Sequence, residues 1–183
     1  MGSYYEAVIE RDNKKKMYYT HDVNEGLKLM EHSYIGNEYT ERIMSMLVNN
    51  PSPVVWLCDY HEEPGCQWSD FEEASKDEFL TASTFTNSDD INYIILNHTK
   101  KLFIDIPVLE KLLIEKDPEL WLQIHPIPIL CNSDEYSQGG GDFHKEDSRR
   151  ATWKNDIIEV INKSENNIPE DFKDVTEDVL FFE

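Results

Sequence analysis

A histidine beside a carboxylate is the pairing that chains use to move protons or to orient a nucleophile, and this sequence offers several. Two of its six histidines fall within residues 20–37, THDVNEGLKLMEHSYIGN, each next to an acid: His21 with Asp22, and His32 with Glu31. Asp142 and His144 follow three consecutive glycines, Gly139, Gly140 and Gly141, and Asp59 ends an apolar run. If His21, Asp22, His32, Asp59, Asp142 and His144 converged, they would supply a base and its orienting acid for hydrolysis. No spacing demands it. Neither H-x-x-x-H nor H-E-x-x-H occurs, and Cys58 and Cys66 lie too far apart for a C-x-x-C pair, so neither a metal site nor a cofactor is expected. The triple glycine implies positive φ or close backbone approach. It lacks the G-x-x-x-x-G-K-[ST] pattern of a phosphate loop, and an ordinary surface loop over residues 132–147 fits it as well. His125, between apolar residues, reads as a hydrogen-bonded core imidazole rather than a catalytic one.

The elements that would position these groups are legible in outline. Two β-prone runs, 4–10 and 16–20, flank the polar cluster Arg11, Asp12, Asn13, Lys14 and predict an N-terminal hairpin. Gly26 and Gly36 break the stretch that follows into a shaped connection. Asn37 then caps a helix over 38–49, whose core stripe is Tyr39, Ile43, Met44, Leu47 and Val48. A buried strand is predicted over 54–60, a hairpin over 92–106, and a helix after Pro107 with Leu109, Leu112 and Leu113 inward. Pro126 and Pro128, two apart in an apolar run over 121–130, place both missing N–H groups on one side and predict an edge strand. Residues 157–161 and 179–182 are the last strand candidates. The expectation is one α+β domain over 1–183: a largely antiparallel sheet built from hairpins, with two or three helices packed on it. An acidic helix or insertion spans about 69–90, and the segment 163–183 is acidic.

Charge narrows the function classes. Among 183 residues, 37 acids against 17 lysines and arginines leave a net charge of −20. Such a field repels nucleic-acid phosphates and anionic membranes, and it draws the chain to basic surfaces. The basic clusters at 14–16, 100–101 and 149–150 are too short for a nucleic-acid groove. No apolar window is long enough for a spanning helix. An odd number of cysteines and no apolar leader predict a reducing cytoplasm. A basic protein partner is therefore expected, with no direct binding of free nucleic acid and no membrane. The contact candidates are Glu62, Glu63, Asp70, Glu72, Glu73, Asp77, Glu78, Asp89 and Asp90.

Several blocks carry a resemblance: THD at 20–22, GLKLMEHSYIGN at 26–37, LNHTKK at 96–101, IHPIPIL at 124–130 and GGGD at 139–142. In these the chain resembles small proteins of bacteriophages, plasmids and other mobile elements of low-GC Gram-positive bacteria. That group in turn resembles anti-CRISPR proteins directed at type II-A Cas9. The resemblance implies an inhibitor acting in the host cytoplasm on Cas9, with or without its guide RNA, whose positively charged channels would receive the acidic side chains. It transfers no catalytic residue. A small His/Asp-dependent hydrolase or nuclease, and an acidic binding module for another basic protein, remain the alternatives.

Overall fold

Asp12 and Asn13 make the first turn, with φ of 51° and 60°, the left-handed values that a two-residue hairpin requires and that Asp and Asn tolerate. The computed structural model describes residues 3–62, 67–82, 92–119, 122–134, 141, 143, 147–165 and 168–181. The turn joins β1 (Tyr5–Arg11) to β2 (Lys14–Tyr18), in register Ala7 to Tyr18 and Arg11 to Lys14. β1 also pairs with β3 (Ser52–Cys58), Val8 opposite Val55. A second hairpin, β5 (Tyr93–Asn97) and β6 (Leu102–Asp105), pairs with β7 (Ile157–Asn162). Only Ser52 and Pro53 of β3 meet Ile158 and Ile157 of β7, so two half-sheets share a short seam. Two-residue strands, β4 (Glu72–Glu73) and β8 (Lys173–Asp174), complete an eight-stranded mixed sheet in the order β4-β2-β1-β3-β7-β5-β6-β8. The α+β class follows, with one domain and antiparallel pairing everywhere except those two short strands.

Five helices accompany the described sheet. α2 (Glu38–Met46) and α4 (Ile106–Lys116) are the long ones that the apolar spacing announces. The Asn37 side chain accepts the Thr40 N–H at 3.2 Å, and Asp105 caps α4 with Pro107 in its first turn. α2 stops short of Asn49 because the next residues bond to β7: Val160 N–H donates to the Leu47 carbonyl, and Asn49 N–H to that of Val160. α1 (Leu29–His32) and α3 (Lys76–Thr81) are single turns or little more. α3 lies inside the acidic stretch, whose remainder over 83–90 is outside the described residues.

Two expectations need correction. Pro126–Leu130 is helix α5, not an edge strand. In the first turn of a helix a proline's missing N–H has no partner to lose. The Ile127 N–H that does need an acceptor finds Nδ1 of His125 at 3.3 Å. Ile124 keeps one strand-like bridge, to Tyr34. Residues 177–179 form a 3-10 turn rather than a final strand, and Leu180 and Phe181 are apolar because they plug the core.

Side-chain alternation along the strands separates two faces. Tyr5, Ala7, Ile9, Val54, Trp56, Tyr93, Ile95 and Val160 face the main core beneath α2, α4 and α5. On the other face, Val8, Met17, Val55 and Leu57 are covered by Tyr19, Trp68 and Phe71, and Ile94, Leu96 and Ile161 by Phe103, Ile168 and Phe172.

Candidate functional site

The two histidines of the 20–37 stretch have opposite fates. His21 sits in a 3-10 turn with its side chain 68% exposed, 3.9 Å from Asp22, which also meets Lys76 at 3.6 Å. His32 is fully buried at the end of α1. Its Nδ1–H donates to the Gly26 carbonyl at 2.9 Å, and its Nε2 accepts the indole N–H of Trp56 at 3.2 Å. Both ring nitrogens are thus used by the fold, and burial pushes the imidazole down to about 4, so it is neutral. Asp59 is exposed and closes the end of the β1–β3 ladder, accepting Tyr4 N–H at 3.0 Å. Among the described residues no hydrogen bond or ion pair links His21, His32 and Asp59 to one another. Asp142, His144, Gly139 and Gly140 lie outside the described residues. Gly141 has φ of 90°, as the glycine run implied, and its carbonyl accepts the Met30 N–H at 2.9 Å, which sets it against α1.

Two buried carboxyls escaped the reading of the sequence. Glu6, completely buried, accepts the Thr20 N–H at 2.8 Å and lies 3.2 Å from the Tyr39 hydroxyl. Glu41 accepts Gly36 N–H at 2.8 Å and the Tyr93 hydroxyl at 2.7 Å, and that hydroxyl also contacts Nε2 of His125 at 3.0 Å. Burial is the main cause of every shift here: Glu6 rises to about 8, Glu41 to about 7, and His125 falls to about 3. His125 is therefore the structural imidazole that its neighbours suggested. Its Nδ1 caps α5 and its Nε2–H is left to donate to Tyr93.

A third cluster gathers at the end of β3. His61 Nδ1 lies 2.7 Å from Asp134 Oδ1, with side chains only 10% and 13% exposed. Its Nε2 lies 3.5 Å from Nζ of Lys154. Three segments bring these groups together. The turn after β3 is closed by His61 N–H on the Cys58 carbonyl. Residues 131–134 run beside β3, with Ser133 N–H on the Trp56 carbonyl and Cys58 N–H on Ser133 Oγ. The 150–155 turn is anchored by Trp153 N–H on the Leu130 carbonyl and Asn155 N–H on that of Val54. Arg150, 3% exposed, donates from Nε to the Asp134 carbonyl and from Nη2 to the Tyr5 hydroxyl. Burial pushes the neighbouring Cys58 thiol up to about 12, which leaves it protonated and a poor nucleophile. Cys58 and Cys131 are free, and Cys66 is outside the described residues.

A carboxylate on Nδ1 orients an imidazole, and here its Nε2 is set beside a lysine. No local signal marks His61, because Asp134 is 73 positions away in the chain. Among the described residues no three His, Cys, Asp or Glu side chains gather in a metal-binding group.

The acids proposed for partner contact are at the surface wherever they are described. Glu62, Asp70, Glu72, Glu73, Asp77 and Glu78 are exposed; Glu63, Asp89 and Asp90 lie outside the described residues. Some of them also fasten the 67–81 segment to β2, through Lys14–Glu72 at 3.7 Å, Lys16–Glu78 at 2.7 Å and the Tyr19 hydroxyl on Glu73.

Comparison with protein families, with curated proteins and with solved structures returned no significant match. Among the described residues no helix is long and apolar enough to cross a membrane.

Proposed function

We propose that this protein acts by binding: an acidic α+β domain that docks on the basic surface of a nucleic-acid enzyme and blocks it. The observation that supports this reading is the acidic flap over residues 67–81, where Asp70, Glu72, Glu73, Asp77 and Glu78 all stand exposed on a chain of net charge −20. Carboxylates displayed in this way mimic the charge, though not the bases, of a nucleic-acid strand, and they speed association with a positive channel. The engagement of both His32 ring nitrogens by the fold leans the same way, since it takes that imidazole out of proton transfer. The sequence resemblance supplies the target, type II-A Cas9 with or without guide RNA, in the cytoplasm of the bacterial host.

A second reading, a small His/Asp-dependent hydrolase or nuclease, now rests on a different pair: His61 oriented by Asp134 at 2.7 Å. One experiment separates the readings. Type II-A Cas9, with and without guide RNA, is captured on the immobilised protein at low and at moderate salt, and the RNA is recovered and sized. Binding that weakens with salt and leaves the RNA intact is expected for occlusion, because screening shortens the reach of exposed charges to about 8 Å at physiological ionic strength. Shortened RNA would instead point to His61 and Asp134. Absence of binding in every condition would discard Cas9 as the target and leave an acidic module for another basic protein.

A further inference from the structure

The acidic flap over residues 67–81 already holds two ammonium groups of its own chain. Lys14, Lys15 and Lys16 form the longest run of positive charge in the sequence, and they lie on β2, where successive side chains alternate between faces. Lys14 and Lys16 share the face of Ile9 and Tyr18 and meet the flap: Lys16 Nζ lies 2.7 Å from Glu78, and Lys14 Nζ 3.7 Å from Glu72. Lys15 turns to the face of Val8 and Met17, and its partner, at 3.9 Å, is Glu10 of β1. We infer that Lys14 and Lys16 are an autoinhibitory pair, internal stand-ins for a basic partner, and that arginine side chains of that partner displace them to take Glu72 and Glu78. The inference deepens the binding reading given above and rests on it.

The two lysines are not what anchors the flap. Phe79 is completely buried and packs on the rings of Tyr18 and Tyr39 at 5.4 and 5.7 Å. Arg42 donates to the Leu80 and Ala82 carbonyls, both at 2.9 Å, and so closes the end of α3. Ala74 N–H adds a bond to the Met17 carbonyl at 2.9 Å. With the backbone fixed in this way, Glu72 and Glu78 can change partners while the flap stays in place.

Exchange is easy because both pairs face water. The side chains of Lys14 and Glu72 are 62% and 60% exposed, and those of Lys16 and Glu78 34% and 40%. Pairs of this kind contribute little, since water and salt screen them and two long side chains lose freedom in making them. An ammonium is a point charge, whereas a planar guanidinium takes both oxygens of a carboxylate at once. An incoming arginine therefore gains more than the departing lysine gives up. A lone lysine on a weakly basic surface gains no such margin, so the internal pair also filters partners.

The test follows the Glu73, Ala74 and Glu78 amides by NMR while hexa-arginine or hexalysine is added to the full chain at about 0.15 M salt, where long-range charge effects are screened. Hexa-arginine should bind the more tightly of the two. Lys14→Met and Lys16→Met should each tighten hexa-arginine about threefold, the worth of one exposed ion pair. Lys15→Met removes the same charge from the opposite face and should leave the affinity at the parent value, which separates release of the flap carboxylates from a change in net charge. In a Glu72→Gln background the gain from Lys14→Met should vanish. An equal gain from Lys15→Met, no gain from Lys14→Met or Lys16→Met, a Lys14→Met gain that survives Glu72→Gln, or hexalysine binding as tightly as hexa-arginine would each overturn the inference and leave the binding reading standing. Flap amides unmoved by either peptide would overturn both.

Discussion

The Tyr39 hydroxyl is inserted into the β1–β2 ladder, accepting from Ala7 N–H and donating to the Tyr18 carbonyl, both at 2.6 Å, where those two register partners would otherwise bond directly. Its single proton is thereby committed to Tyr18. The hydroxyl also lies 3.2 Å from Oε2 of Glu6, whose carboxyl burial raises to about 8.

Stability should therefore fall as pH rises through neutrality. In the unfolded chain a glutamate loses its proton near pH 4.3, whereas in the fold Glu6 keeps its proton to about 8 and Glu41 to about 7. Between those limits the native state binds more protons, so the contribution is fully present below about pH 4.3 and is lost progressively up to about pH 8. Unfolding free energies from urea titrations at pH 5 to pH 8 should decline by several kcal/mol in all, since each pH unit over which one buried group keeps its proton contributes about 1.4 kcal/mol. Glu6→Gln, which is neutral at every pH, should flatten the upper part of that decline. A midpoint that rises over this range would show both carboxyls to be ionised.

His21 and His32 look alike in the sequence, yet their substitutions should differ sharply. His32→Ala removes a buried ring and strands the Trp56 indole N–H and the Gly26 carbonyl, and should cost about 2–4 kcal/mol. His21→Ala, on an exposed side chain, should stay within about 0.5 kcal/mol of the parent. Chemical denaturation of the two variants side by side checks this.

Gly141 has φ of 90°, and a Cβ there would lie 2.5 Å from Cδ of Lys28. Gly141→Ala should cost about 1–2 kcal/mol from backbone strain alone, and more if the Lys28 stem is held in place. Thermal unfolding of the variant, with amide exchange at Met30 as a local reporter, measures it.

Ala151 presents the reverse case. It holds φ of 58° in the turn that carries Lys154, a conformation costing an L-residue about 1–2 kcal/mol. Ala151→Gly relieves that strain at some cost in unfolded-state entropy, so a net gain of about 0.5 kcal/mol is expected in the denaturation midpoint.

How far the sequence spoke depended on whether the deciding partner was local. Asn37 with Thr40, Asp105 with Pro107, and Asp12 with Asn13 carry their signals within a few positions, and α2, α4 and the first hairpin followed from them. Pro126 and Pro128 were ambiguous, because a missing N–H suits both a sheet edge and a first helical turn. His125 as cap, with its other nitrogen on Tyr93 of a distant strand, decided for the helix. Glu6 and Glu41 carry no local mark of burial, since nothing nearby in the sequence announces that Tyr39 and Tyr93 will pack against them. The His61–Asp134 pair was invisible for the same reason. It depends on residues 131–134 lying beside β3, a contact that forms only in the assembled fold.

The two shortest strands have a consequence for how any partner can attach. An open sheet exposes a row of unpaired backbone donors and acceptors at each border, an invitation to strand addition and to aggregation. Here the borders are taken by β4 and β8, each two residues long and charged, Glu72–Glu73 on one side and Lys173–Asp174 on the other. A strand so short and so polar offers no template for a visiting chain. Recognition then falls to side chains on the faces and flaps, and pairing of copies edge to edge is disfavoured.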